Sequence, residues 1–463
     1  MNPADTLADL WHYGGLPAQA LGYAVLTGSD PVFPSSFAVG TAAQASIAAA
    51  AMAACELGHV RGQNRQQVAV DMTHAALECT GWFSVDGRVP ALWDQFSGLY
   101  ACADGWVRIH TNFAHHRDGA LRLMGLAPDT ATRADAEQAM RAWHVAEFEQ
   151  TAADAGLVVA ALRSFDDWDA HPQGLALAAL PLMTFERLGD APPNLSANAL
   201  PPLGAGDRPL TGLRVLDLTR ILAGPVCGRA LAAYGADVML LNAPHLPNIE
   251  SIADTSRGKL SAHVDLRTAD GKATLASLVS QSHVFVQGYR PGALASLGFG
   301  PQQVARQKPG IVYLSLSGYG HTGPWQARRG FDSLVQTAMG FNDAEAKAAG
   351  SATPKPLPMP ILDYATGHLM AFAASAALHR QAIEGGSWHV RLSLAQTGQW
   401  LRSLGRVRDG FGMKPPDRQP FLESSPSGFG ELVGLRHSAR LSSTPCRWVR
   451  PSVPPGTSPP AWP

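Results

Sequence analysis

From residue 213 onward, short runs of mainly apolar residues alternate with longer stretches of helical character. "LRVLDLT" (213–219) has the length and composition of a strand buried in a parallel sheet. "AGPVCGRALAAYGA" then reads as a helix and "DVMLLNA" as the next strand. "SAHVDL" (261–266), "HVFVQGY" and "GIVYLSLSGYG" read as further strands, with "GKATLASLVSQS" as a helix between the first two. Strands alternating with helices of this length predict an α/β fold built on a doubly wound, parallel, Rossmann-like sheet. Such sheets bind ligands beyond the carboxyl ends of their strands, so the loops after each strand carry the interest. Before this half lies "DAPPNLSANALPPLGAGDRPLTG" (190–212), rich in Pro, Gly, Ala and Asn and without periodicity, which is linker composition. Further upstream, "GTAAQASIAAAAMAACELG" is dominated by Ala, the best helix former and a weak membrane residue. It predicts a buried helix of a soluble protein.

Bulk properties narrow the function classes. The chain has 463 residues, enough for two or three domains. Only 16% of residues are charged and the net charge is −1, which argues against electrostatic binding of nucleic acid or a membrane surface. "MNPADTLADLWHYGG" has neither the basic start nor the apolar core of a signal peptide, so a cytoplasmic protein is expected. Cys55, Cys79, Cys102, Cys227 and Cys446 are odd in number and scattered, suggesting neither a disulfide framework nor a zinc site.

Three motifs bear on the chemistry. "GYGHTG" (318–323) satisfies G-x-G-x-x-G after a strand, but Pro324 follows at once and no helix opens on the glycines to receive a pyrophosphate. A dinucleotide site is not expected. His115–His116 have no second ligand cluster nearby and read as surface or helix-start residues, and no metal site is expected. In "MPILDYATGH" (359–368), Asp363 stands between a Pro-rich run and an Ala-rich helix. It can be an ordinary helix cap, accepting free N–H groups. Position alone favours the cap; the other reading is a nucleophile whose charged form is favoured at a helix start.

"GLRVLDLTRILAGPVCGRALAAYGADVMLL", "SRGKLSAHVDLRTADGK", "VFVQGYRPGALASLGFG", "IVYLSLSGYGHTGPW", "RRGFDSLVQ" and "ILDYATGHLMAFAASAAL" occur in this order and spacing. Together they resemble the class III CoA-transferases, the CaiB/BaiF family, over about residues 211–403. The resemblance implies that Asp363, at the D-x-x-x-G step with Gly367, is the nucleophile. It would carry CoA between an acyl-CoA thioester and a carboxylic acid through an aspartyl anhydride and an aspartyl-CoA thioester, with no permanently bound cofactor. It also implies CoA contacts from Ile221, Leu222, Ala223, Lys259, Tyr289 and Arg329, and a homodimer. "NAPHLP" after the second strand, and Ser296, depart from the basic residues that family members offer there. The family's racemases place a histidine where this chain has Phe331, so transfer is favoured over racemisation. His321 and His368 occupy other positions. A catalytically silent CoA- or partner-binding relative, or a racemase, is the alternative.

The N-terminal half adds a second likeness. Residues 35–77 resemble 362–398, and aligning Gly40 with Gly367 sets Ser36 against Asp363. Ser36 is expected to cap its helix, without an adjacent base. "FSGLYACADGWVRIH" and "FEQTAADAGLVVAALRSFDDWDAHPQ" resemble the family's smaller α+β domain, which ordinarily follows the catalytic helix. The expected organisation is therefore a rearranged one. Residues 1–189 resemble the family's back half, 190–212 form a linker, 213–403 the α/β domain, and 404–463 a Pro-rich wrapping tail with Trp448 and Trp462 as docking points.

Overall fold

The computed structural model describes residues 2–193, 200, 202–204 and 206–463; residues 194–199, 201 and 205 of the expected linker lie outside the described residues. Seven strands form the main sheet: β1 (Thr184–Gly189), β2 (Arg214–Leu218), β3 (Asp237–Asn242), β4 (Lys259–His263), β5 (Val284–Gln287), β6 (Val312–Ser317) and β7 (Ser387–Ser393). Their order is β4-β3-β2-β5-β6-β7-β1, parallel except for β1, which runs antiparallel to β7 at the edge. Counted from β2 this is the 3-2-1-4-5-6 order of the doubly wound sheet, with its switch point between β2 and β5.

Alternation along the strands builds two cores. Val215, Val238, Val284, Val312 and Leu314 face α2 (Ala223–Ala233) and α5 (Ile361–Glu384), while Leu216, Met239, Phe285 and Tyr313 face the helices Ala269–Ser280 and Pro301–Gln307. The helix α2 stops because Gly235 turns with φ 116°, letting the Ala236 N–H close on Leu231 O at 3.1 Å. Between α2 and α5 lie α3 (Asp332–Met339) and α4 (Phe341–Ala348), and α6 (Leu394–Ser403) follows β7.

The Ala-rich N-terminal helix, α1 (Val39–Val60), packs along α5 in the same core. Alanine faces let the two axes approach closely. Each long helix leads through a turn into a strand and then a shorter helix: Val68–Asp71 and Met72–Glu78 after α1, β7 and α6 after α5. The likeness between residues 35–77 and 362–398 is thus one of local architecture.

Ser36 does not cap α1. The carboxylate of Asp30 takes the Gly40 and Thr41 N–H groups at 3.1 and 2.8 Å, filling that role. Ser36 lies three residues before the helix, where its hydroxyl donates to Glu345 Oε1 at 2.5 Å and accepts from Arg406 at 2.6 Å. A carboxylate therefore does stand beside Ser36, supplied by α4 rather than by its own segment.

An α+β unit with its own apolar core is formed by the antiparallel strands Gly98–Ala101, Trp106–Ile109 and Val159–Ala161 with three helices between Ala114 and Asp154. In the strand Trp106–Ile109, Val107 and Ile109 enter this core, while the neighbouring α3 belongs to the larger half. The C-terminal segment holds more regular structure than its composition suggested. Leu422–Ser427 and Gly430–Leu435 form a hairpin extended by Phe83–Val85, and Ala439–Leu441 pairs with Val68–Asp71. These strands borrow partners from the body instead of building a core of their own. Trp448 donates to Arg229 O at 2.9 Å and Trp462 to Leu278 O at 3.3 Å.

Candidate active site at the switch point of the sheet

A cleft of about 390 Å³ opens beyond the carboxyl ends of β2 and β5, the place doubly wound sheets offer a ligand. Ile221, Leu222, Ala223, Tyr289, Arg329 and Asp363 all line it. Leu218, Leu316, Phe331 and Leu394 give it apolar walls. The loop from β2 into α2 is strained: Ile221 has φ 76°, a conformation β-branched residues rarely adopt, at about 1–3 kcal/mol. Strain of this kind is held at the point where the loop must deliver the first turn of α2 to the cleft floor.

Asp363 sits on that floor, only 6% exposed, as the third residue of α5. It is not the cap of its helix. The Leu362 and Asp363 N–H groups donate to Asp332, the latter at 3.1 Å, so Asp332 satisfies the helix start. The Asp363 carboxyl instead faces the N-terminus of α2, where the Ala223 N–H favours its charged form. Burial, and then the neighbouring Asp332 charge, hold the Asp363 carboxyl well above the usual carboxylate range, while the Ala223 N–H pulls the other way. Asp332 is raised as well, chiefly by burial.

The D-x-x-x-G step has a steric reason. A Cβ at Gly367 would lie 2.6 Å from Ala223 O and 2.7 Å from the Val226 side chain, so only glycine lets α2 reach Asp363. Gly367→Ala is expected to destabilise the protein by about 1–3 kcal/mol through overpacking against backbone. Turnover per folded protein should fall too, because α2 is pushed off the carboxylate. Thermal melts and active-site-normalised rates check both.

Lys259 lies elsewhere. It is 1% exposed, with Nζ 2.8 Å from Asp217 Oδ2 and 2.7 Å from Pro225 O. Asp217 also accepts the Thr219 N–H at 3.1 Å. The lysine thus ties the end of β2 to the first turn of α2 from beneath, and does not line the cleft. Neither His321, which meets Leu392 O at 3.1 Å, nor His368, buried beside His437, lines it either. His115 and His116 do line it, at the start of the helix Ala114–Leu123.

Several cleft residues escaped the sequence reading. Arg220 and Arg290, in the loops after β2 and β5, and Arg328 join Arg329 on the walls. Arg220 lies over the Phe113 ring at 5.2 Å, and Arg329 donates to Gly156 O at 2.7 Å, so both lean on the α+β unit. Arg290 is exposed at the mouth and makes no ion pair among the described residues. Their signal was position, since each follows a strand or precedes a helix on the carboxyl side of the sheet. From the α+β unit, His110 stacks on Phe331 with centroids 4.2 Å apart. Burial and the Arg108 charge push His110 down to about 4, leaving it neutral.

Among the described residues no cluster suited to a metal ion occurs, and no helix is long and apolar enough to cross a membrane.

The sequence model of CoA-transferase family III matches residues 210–408. An acyl-CoA transferase of Gibberella moniliformis is 28% identical over 378 residues, covering 73% of this chain and 66% of that protein. A succinate–glutarate CoA-transferase of Agrobacterium fabrum is 32% identical over 206 residues, covering 40% and 51%. A solved CaiB/BaiF family protein from Brucella suis is 26% identical, covers 49% of this chain and 65% of its own, and superposes with a TM-score of 0.39. The chain thus spans about half to two thirds of the length of these relatives. The match to CoA-transferase family III over residues 210–408 takes in Asp363, Gly367 and most of the residues that line the switch-point cleft.

Proposed function

We propose that the chain transfers CoA from an acyl-CoA thioester to a carboxylic acid, with Asp363 as the nucleophile. The observation that carries this reading is a buried carboxylate at the meeting of two helix starts, on the floor of an apolar cleft walled by four arginines, inside a family III segment. Arginines at the mouth suit the phosphates of CoA, and the apolar walls suit its pantetheine arm. Ile221, Leu222, Ala223, Tyr289 and Arg329 are the CoA contacts from the sequence reading that the cleft can employ, joined by Arg220 and Arg290. Lys259 acts beneath the site as a tie.

In the proposed reaction the ionised Asp363 attacks the thioester carbonyl; the C–S bond breaks and CoA leaves as a thiolate. The thiolate then attacks the aspartyl carbonyl of the anhydride, releasing the donor acid and leaving aspartyl-CoA. The acceptor carboxylate attacks that thioester, expelling the thiolate again, which takes the acceptor acyl group and frees Asp363. Each step exchanges bonds of similar energy, so the protein's task is to exclude water and stabilise tetrahedral oxyanions. The N-terminus of α2 favours negative charge at this point. Because Asp363 must be ionised and its proton is held tightly, exchange should rise with pH through the raised carboxyl value and then level off.

The same reading takes the protein as a cytoplasmic homodimer, on the family resemblance. The test is incubation with a panel of acyl-CoA donors and short mono- and dicarboxylic acids, following new thioesters by chromatography. Exchange with any pair supports transfer. CoA-induced thermal stabilisation without exchange across the panel would favour a silent CoA-binding protein instead.

A further inference from the structure

We infer that Arg108, with Trp93 and His110 around it, forms a carboxylate-binding subsite for the acid substrate. The inference rests on the transferase reading for its substrate class, and on an unpaired buried cation for its place.

Arg108 is 9% exposed, yet its guanidinium has no hydrogen bond or ion pair among the described residues, and its Nε is sealed from solvent without an acceptor. A buried guanidinium is costly unless an anion meets it, because desolvation removes its hydration and nothing replaces it. Other buried arginines of the chain obey this rule: Arg229 and Arg257 both pair with Asp254, and Arg163 with Glu149. Arg133, near the same strand, is occupied by Glu137 and the carbonyls of Ser97 and Leu99. Among these buried arginines Arg108 is the one without an ion pair or hydrogen bond in the described residues.

Its surroundings adjoin the wall of the cleft without lining it. Strand alternation sends Val107 and Ile109 into the core of the α+β unit, which puts Arg108 and His110 on the opposite face. There His110 stacks on Phe331, a wall of the Asp363 cleft, and Arg108 feels the charge of Asp332, whose carboxylate holds the start of α5. Trp93 covers this cluster from outside: its ring lies 5.3 Å from the Arg108 guanidinium and 5.7 Å from His110, and it is itself 52% exposed. A planar cation on an aromatic face, with a neutral imidazole beside it, fits a carboxylate through paired N–H donors. A phosphate is the poorer fit here, because the free cation suited to it, Arg290, lies at the cleft mouth.

Two carboxylates could use this subsite: the reacting group of any acceptor acid, or the second carboxylate of a dicarboxylic acid. The test is calorimetric titration of the full-length protein with glutarate and with hexanoate, alongside CoA, for wild type, Arg108→Gln and Arg108→Lys. Arg108→Gln should weaken acid binding by about 10- to 100-fold, the worth of charge-assisted hydrogen bonds. Arg108→Lys should recover part of it, and CoA affinity should not change. In turnover, KM for the acid should rise while KM for acyl-CoA holds, a split that a structural role would not produce. Loss for both acids assigns the reacting carboxylate; loss for glutarate alone assigns the remote one. Unchanged acid affinity in Arg108→Gln, or no acid binding by wild type, overturns the subsite. CoA exchange that persists in that case leaves the transferase reading standing, whereas Arg108-dependent acid binding without CoA binding would sink the transferase reading and spare the subsite.

Discussion

Replacing Asp363 by asparagine is expected to abolish CoA exchange, by on the order of 10³-fold or more, while making the resting protein more stable at pH 8. The loss follows from removing the nucleophile. The gain follows from what the site costs: a carboxylate buried beside Asp332, with its proton affinity raised by burial and by that second charge. A carboxyl group whose folded value lies above its unfolded value, about 3.9, stabilises the fold fully below the unfolded value. That contribution disappears as pH rises through the folded value. Asparagine has the same shape, but it does not ionise. Its melting temperature should therefore exceed that of wild type at pH 8, by about 2 °C or more, and the difference should close toward pH 4. A variant that loses stability at pH 8 would show that the ionised carboxylate is held favourably and that the site stores no such strain.

Lys259→Ala should be the most damaging single change to the fold, at about 3–5 kcal/mol, because it leaves Asp217 charged and buried without a counter-ion. Lys259→Met combined with Asp217→Asn should restore most of the loss, since the charge is gone and asparagine still accepts from Thr219. CoA affinity of the folded double variant should stay close to wild type. Chemical denaturation and CoA titration check the two halves separately. A lysine that bound CoA phosphates would give the reverse pattern, with stability kept and affinity lost.

The contrast between Asp363 and Lys259 shows what a sequence makes legible. The spacing of Asp363 and Gly367 encodes a backbone contact, the approach of Ala223 to α5, and it was the resemblance to a family motif that marked it. The strands were equally legible, because burial on both faces demands apolar runs of strand length. Lys259, in "RGKLS", gave its place in order but not its face. As the first residue of β4 it turns beneath α2, where Asp217 waits, and only the register of β4 on β3 and β2 decides that. Arg108 and His110 were hidden for a different reason. They belong to the α+β unit, and nothing in "WVRIH" tells which part of the chain the outer face of that strand meets. The available signal was an arginine on a strand that has no acid partner in the same sheet. Ser36 was misplaced because its carboxylate neighbour, Glu345, comes from a helix more than three hundred residues further on.

Covalent acylation of Asp363 is the step on which the proposed transfer turns. The most direct measurement is to incubate the protein with an acyl-CoA it exchanges, quench with hydroxylamine or borohydride, and locate the modified peptide by mass spectrometry. A single modified side chain, Asp363, is expected, present with acyl-CoA, absent with free CoA, and absent in Asp363→Asn. Modification of Ser36, Glu345 or Asp332 in its place, or exchange that persists in Asp363→Asn, would contradict it.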